Sequence, residues 1–420
     1  MVPSHAIAAP AHLSPAVRSA SADVLSLALM DSRNQTLALL VRWRDAQEAA
    51  GVQVPCEPGF ELPQWIAGHI AWFADWWIGR NPRRGLGRNC PPDAPRLPPS
   101  QPMEDRWYHP LQAPHASRWD MPLPSVDEVR GYLLETLERT LDVLEHAAPD
   151  DDGLYFFRAA LFHEDLRAEQ LLRQAQSLGL RVGPPLPAAG VPREPLQLPA
   201  TRWVLGEVEG GFAFDVERGR HEESVPEFEI DAQPVSWGQF VEFVDDDGYD
   251  RPELWHPQGW AWLTALGEGE GRRGPRHVDQ IGVGSGAVMQ TVFGRPTRMA
   301  SHQPVMHASW WEADAWCRWA GRRLATEVEW EIAATRAASR GFRWGEVNEW
   351  TAGTLRPWPG FTPDPWTRHG EFEAEPFFGR ARVLRGASFA TRSRLGWATR
   401  RGFALPDHDD AFTGFRSCAS

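Results

Sequence analysis

The chain has 420 residues, which at about 100–200 residues per domain suits two or three domains. It is 42% hydrophobic and 24% charged, enough to bury real cores, and its net charge of -13 disfavours gripping a phosphate backbone through clustered Lys and Arg. No apolar run approaches the ~20 residues of a membrane span, and Met1 to His12 lack the basic-then-apolar pattern of a secretory leader, so a cytoplasmic protein is expected.

The first half reads as helices. Ser14-Pro15 makes a helix start, with Ser as cap and Pro in the first turn, and Val24, Leu25, Ala28, Leu29, Leu37, Leu40 and Val41 follow at helical spacing. A second helix spans about Leu62 to Gly79. A third opens on the capping box Ser125-x-x-Glu128 and continues through Val129, Leu133, Leu137, Leu141 and Leu144. The fourth starts after Asp150-Asp151-Asp152 and runs to Leu178. Four amphipathic helices, with one long connection over residues 80–124, predict a four-helix bundle over 1–183.

Proline then crowds the chain, as in Pro184-Pro185-Leu186-Pro187, and residues 184–200 read as a stiff linker. From 201 to 420 the pattern is short strands, glycines and turns, with two convincing helices. One begins at Ser309-x-x-Glu312 and reaches Ala320; the other begins at Thr326-x-x-Glu329 and reaches about Ala337. The class is therefore α+β. Cys56, Cys90, Cys317 and Cys418 are widely spaced with no C-x-x-C pair, against both a disulfide scaffold and a structural zinc site. The 22 Trp against 4 Tyr suit cores and flat ligand pockets alike.

The chemistry concentrates in Phe162-His163-Glu164-Asp165-Leu166-Arg167-Ala168-Glu169, read with Gly68-His69-Ile70-Ala71-Trp72-Phe73. Positions 163 and 167 share one helix face, one turn apart. Two imidazoles there and a third from another helix would hold a metal facially with open positions, as non-haem iron requires. The first position is His163 and the outside donor is His69, but the second is Arg167, which has no lone pair to give. The bland reading of Arg167 is a surface or interface arginine paired with a carboxylate, and His69 among Trp65, Ile70, Trp72 and Phe73 also reads as a core histidine bonded to a carbonyl.

Pro304-Val305-Met306-His307-Ala308-Ser309-Trp310, Gly321-Arg322-Arg323-Leu324-Ala325-Thr326-Glu327, Gly345-Glu346-Val347-Asn348-Glu349-Trp350-Thr351, Leu384-Arg385-Gly386-Ala387-Ser388-Phe389 and Gly414-Phe415-Arg416 resemble the formylglycine-generating-enzyme-like (sulfatase-modifying-factor) fold. The first half resembles a DinB-type bundle. Together they resemble the ergothioneine sulfoxide synthase family, and the runs Trp119-Asp120-Met121-Pro122-Leu123-Pro124 and Leu154-Tyr155-Phe156-Phe157-Arg158-Ala159-Ala160-Leu161-Phe162-His163-Glu164-Asp165 look most like its selenoneine synthase branch.

The resemblance implies an enzyme that uses iron(II) and dioxygen to join selenium, from a selenosugar, to the imidazole of hercynine (trimethylhistidine). A thiol donor with carbon–sulfur bond formation is the alternative, and a metal-free relative that binds a betaine without turnover is a third reading. It further implies His69 and His163 as iron ligands, with Arg167 at the third ligand position. Arg401-Gly402-Phe403 corresponds to the family's substrate-binding Arg-Asn-aromatic run, Gly402 standing for the Asn. The family's active-site Tyr has no counterpart after Tyr249, and Trp366 is a candidate for its place. The expected arrangement is a cleft between two domains lined by His69, His163 and Phe403.

Overall fold

Helices form where the apolar spacing asks for them. A computed structural model describes residues 10–100, 103–206, 210–270, 272–282, 286–368 and 372–420; residues 1–9, read above for a leader, lie outside that range. The bundle comprises α1 (Ala22–Ala50), α2 (Pro63–Ala74), the short α3 (Glu104–Tyr108), α4 (Val126–Leu144) and α5 (Asp151–Ser177). Gly51, in the left-handed conformation, ends α1. Ser125 and Glu128 form the expected reciprocal capping box on α4, and the Asp150 side chain accepts from the Gly153 N–H at the start of α5. Ser14 differs from expectation: it caps a short 3₁₀ turn, Pro15–Ser19, and α1 starts only at Ala22. Ala20 and Ser21 are extended between them, where the Arg18 carbonyl accepts from the Phe212 N–H of the second domain.

The second domain holds α6 (Trp237–Asp245), α7 (Pro257–Glu270), α8 (Trp310–Trp319) and α9 (Glu327–Arg336). The capping boxes at Ser309 and Thr326 are present, and a third at Ser236, with Gln239 as its partner, starts α6. Two helices expected here are thus joined by two more. One four-stranded sheet orders Leu196–Leu198, Phe228–Ile230, Ser417–Ala419 and Arg322–Leu324; a second orders Arg401–Ala404, Arg382–Gly386, Asn348–Thr354 and Thr413–Phe415. Leu196–Leu198 falls inside the stretch read as linker, yet it pairs antiparallel with Phe228–Ile230 and so belongs to the sheet.

The two domains share apolar core. Phe162 of α5 packs against Phe212 at 5.0 Å and Trp397 at 5.4 Å between ring centroids. Polar contacts follow the same helix: Asp165 meets Arg394 at 2.6 Å, and the Gln176 side chain accepts from the Phe293 N–H at 2.6 Å and donates to the Thr291 carbonyl at 2.9 Å. One face of α5 therefore builds the bundle while another seats the second domain. Among the described residues no helix is long and apolar enough to cross a membrane.

Candidate active site

His69 sits on α2 between two indoles, Trp65 at 4.7 Å and Trp72 at 5.4 Å, both nearly parallel to its ring. Its orientation is set from behind. The Tyr108 carbonyl lies 2.9 Å from Nδ1, which makes Nδ1 the protonated nitrogen and leaves the lone pair on Nε2. Gly68 permits this contact, because a Cβ there would come within 2.2 Å of the Tyr108 ring. The carbonyl partner expected of a core histidine is thus real, and it is also the arrangement that aims a ligating imidazole.

His163 on α5 stacks flat on Phe73 at 3.9 Å, with its ring centroid 5.2 Å from that of His69. Burial holds its imidazole neutral, well below the usual titration range, and the Arg167 charge and His69 push the same way. Both carboxylates beside it are engaged elsewhere. Glu164 pairs with Arg33 at 3.0 Å, and Asp165 accepts from Ser32 and Arg394.

Arg167 is no surface group. It is 2% exposed, its guanidinium lies 4.9 Å from the Phe372 ring centre, and Nη1 donates to Gln170 at 2.8 Å. Its Nε donates to His163 Nε2 at 3.4 Å. That contact occupies the lone pair a metal would need.

These side chains border a cavity of about 570 Å³ between the domains. The bundle contributes Trp72, Trp76, Trp77, His109 and Arg96 to its wall, and the second domain contributes Trp366, Arg368 and Phe372. Trp366 stands edge-on to His163 at 6.4 Å, and its indole N–H donates to the Tyr155 hydroxyl at 3.0 Å. A tyrosine therefore does stand behind this wall, but it comes from α5.

Arg401, Gly402 and Phe403 are elsewhere, so the expected shared cleft is corrected. Arg401 is buried against Glu327 at 2.8 Å and lies over Trp358 at 4.3 Å. Gly402 pairs with Leu384 across the sheet. Phe403 packs on Phe377 at 5.5 Å and is absent from the cavity wall. The carboxylate of Glu327 already engages that guanidinium from two sides. The aromatic wall was legible instead in His69, Trp72 and Trp76, which recur at helical spacing on one face. Trp366 and Phe372 left no periodic trace, since a loop carries them.

Comparison with known proteins agrees with this architecture. Residues 22–175 match the DinB superfamily, and residues 189–346 match the sulfatase-modifying factor enzyme 1-like domain. The hercynine oxygenase of Mycolicibacterium smegmatis is 30% identical, over 95% of this chain and 98% of its own length. That of Mycobacterium tuberculosis is 31% identical over 81% and 88%. The chain belongs to the hercynine oxygenase family. The formylglycine-generating enzyme of Streptomyces coelicolor is 30% identical over only 37% of this chain. Among solved structures, Treponema denticola variable protein 1 aligns with 54% of the chain at 15% identity and a TM-score of 0.31, too low to bear on function.

The iron implied by the sequence resemblance meets a specific obstacle in this member of the family. Among the described residues no group of three or more His, Cys, Asp or Glu side chains is placed to hold a metal ion. Two imidazoles converge, and the Arg167 guanidinium lies beside them with its Nε on His163. Among the described residues, the side chains around the cavity do not fit a three-histidine iron centre.

Proposed function

We propose that this chain recognises a hercynine-type betaine in the cavity between its domains. The observation that carries the reading is the wall itself, where Trp72, Trp76, Trp366 and Phe372 surround one space that also carries Arg96, Arg167 and Arg368. A quaternary ammonium offers no hydrogen-bond donor and is held by aromatic faces, a contact worth about 2 kcal/mol when desolvated. A carboxylate is held by guanidinium groups. Hercynine carries both groups, and the full-length relatives are named for it. Calorimetry should show hercynine binding at least roughly tenfold more tightly than histidine, which lacks the methyl groups. Equal affinities would overturn the reading.

Turnover is a further step, supported by the family and by the runs 119–124 and 154–165. In that reading the chain joins selenium from a selenosugar to the hercynine imidazole, with a thiol donor and a carbon–sulfur bond as the alternative. Iron(II) would supply the activation of dioxygen, and His69 and His163 are the side chains that would serve as its protein donors. The compartment would be the cytoplasm, where the free Cys90, Cys317 and Cys418 stay reduced. Binding without turnover is favoured by one observation, the Arg167 Nε on His163 Nε2. Iron content after anaerobic reconstitution separates the two. A full equivalent of iron supports turnover, and its absence supports binding alone.

A further inference from the structure

We propose that His109 and Arg96, which both pack on Trp76 in the cavity wall, form the corner that takes the carboxylate of the ligand. His109 Nε2–H supplies the hydrogen bond and Arg96 the charge. The inference rests on the betaine reading above and adds which residues hold the ligand's acidic end.

His109 follows α3 and borders the cavity. Its ring meets Trp72 and Trp76 edge to face, each at 5.1 Å between centroids. The Leu111 N–H donates to Nδ1 at 3.2 Å, so Nδ1 keeps its lone pair and the neutral ring carries its proton on Nε2. Burial holds the imidazole below the ordinary histidine pKa, against the pull of Asp105 and with the push of Arg80, so the neutral ring is the form present near pH 7. Among the described residues Nε2 has no hydrogen-bond partner, which leaves its N–H for an acceptor in the cavity. Two indole donors of the same wall are already used: Trp72 donates to Asp105 at 2.8 Å and Trp366 to Tyr155 at 3.0 Å.

Arg96 favours an anion as that acceptor. Its Cζ lies 5.2 Å from the Trp76 ring centre and 4.8 Å from that of Trp77. Nε donates to the Trp76 carbonyl at 3.0 Å and Nη1 to the Ala94 carbonyl at 2.5 Å, while Nη2 is buried without a hydrogen-bond partner. Backbone carbonyls thus fix the guanidinium and leave its charge uncancelled. Among the described residues no carboxylate forms an ion pair with it; Asp93, exposed in the same wall, acts on it only at longer range. Burial lowers its pKa, yet a guanidinium stays protonated at any working pH. A half-buried cation beside a fixed N–H selects a carboxylate over a neutral acceptor.

The intact protein is titrated by calorimetry with hercynine and with its decarboxylated analogue, the trimethylammonium derivative of histamine. Hercynine should bind roughly 10- to 100-fold more tightly, the worth of one charged hydrogen bond. His109→Phe keeps a ring against Trp72 and Trp76 but has no donor. It should lose most of that preference while binding the analogue as the parent does. His109→Gln restores a side-chain N–H and should bring back a preference of at least roughly fivefold. Equal binding of the two ligands by the parent would refute the carboxylate corner and leave the betaine reading standing. A parent-like preference in His109→Phe, an equal loss of both ligands in it, or a His109→Gln variant no better than His109→Phe would each overturn the assignment. If the parent binds neither ligand, both readings fall.

Discussion

The side chains around His69 and His163 divide into those that touch the cavity and those that only resemble ligands in sequence. Trp366 borders the cavity and is braced by the Tyr155 hydroxyl, whereas Phe403 lies against Phe377 on a strand. Trp366→Leu keeps apolar bulk but removes the π face, and the loss of about 2 kcal/mol should weaken hercynine binding roughly 30-fold. Phe403→Ala should leave that affinity unchanged and lower only thermal stability. Calorimetry on the two variants checks this, and a loss of affinity in Phe403→Ala with none in Trp366→Leu would reverse the assignment. The sequence made His69 and His163 visible because helix spacing is a local property. It could not place Phe403, because that depends on Glu327, 74 positions away, holding Arg401 and the strand with it.

At the level of elements, α5 carries most of the design. One turn supplies His163 to the cavity, Glu164 to Arg33 within the bundle and Asp165 to Arg394 in the second domain. Asp165 and Arg394 are both buried, and Asp31 also reaches Arg394 at 2.9 Å. Removing one partner of such a pair strands the other charge in low dielectric. Asp165→Asn should therefore cost about 3 kcal/mol and lower the melting temperature by roughly 5–10 °C. Differential scanning calorimetry measures it, and a change below a degree would mean that Asp31 alone satisfies Arg394. Capping chemistry made the starts of α4, α8 and α9 readable, each as Ser or Thr followed three residues later by Glu. The start of α6 uses the same device with Ser236 and with Gln239 in the place of the Glu. Ser14 misled for a physical reason: a cap and a proline satisfy a single 3₁₀ turn as well as a long helix.

Across the whole molecule, the two-part architecture follows from a change of hydrophobic period near the proline-rich stretch, a feature any long window of sequence exposes. What no window exposes is how many ionisable groups the union of loops buries. His277 and His307 meet ring to ring at 4.9 Å in the second domain, each with positive φ, at 65° and 64°. Burial and the neighbouring Arg276 lower the His277 pKa to about 4, against the attraction of Asp409 and Asp410. Burial and His277 push His307 well below its usual range. Their folded pKa values are depressed, so the stability they contribute is complete above the ordinary histidine value. It is lost as pH falls through about 6.5 toward 4. Asp364 opposes them: burial outweighs Arg218 and raises its pKa to about 6, so its contribution is full below its ordinary value of 3.8 and lost as pH rises through 6. His163 and His109, also held below the usual histidine range by burial, act in the same sense as this pair and against Asp364 on acidification. The melting temperature should thus fall by several degrees between pH 7.5 and pH 5. His307→Asn removes one titrating group and suits the left-handed backbone, since Asn tolerates positive φ. That variant should show a flatter pH profile than the parent. Parallel losses in the two proteins would show that His307 takes no part in the acid sensitivity.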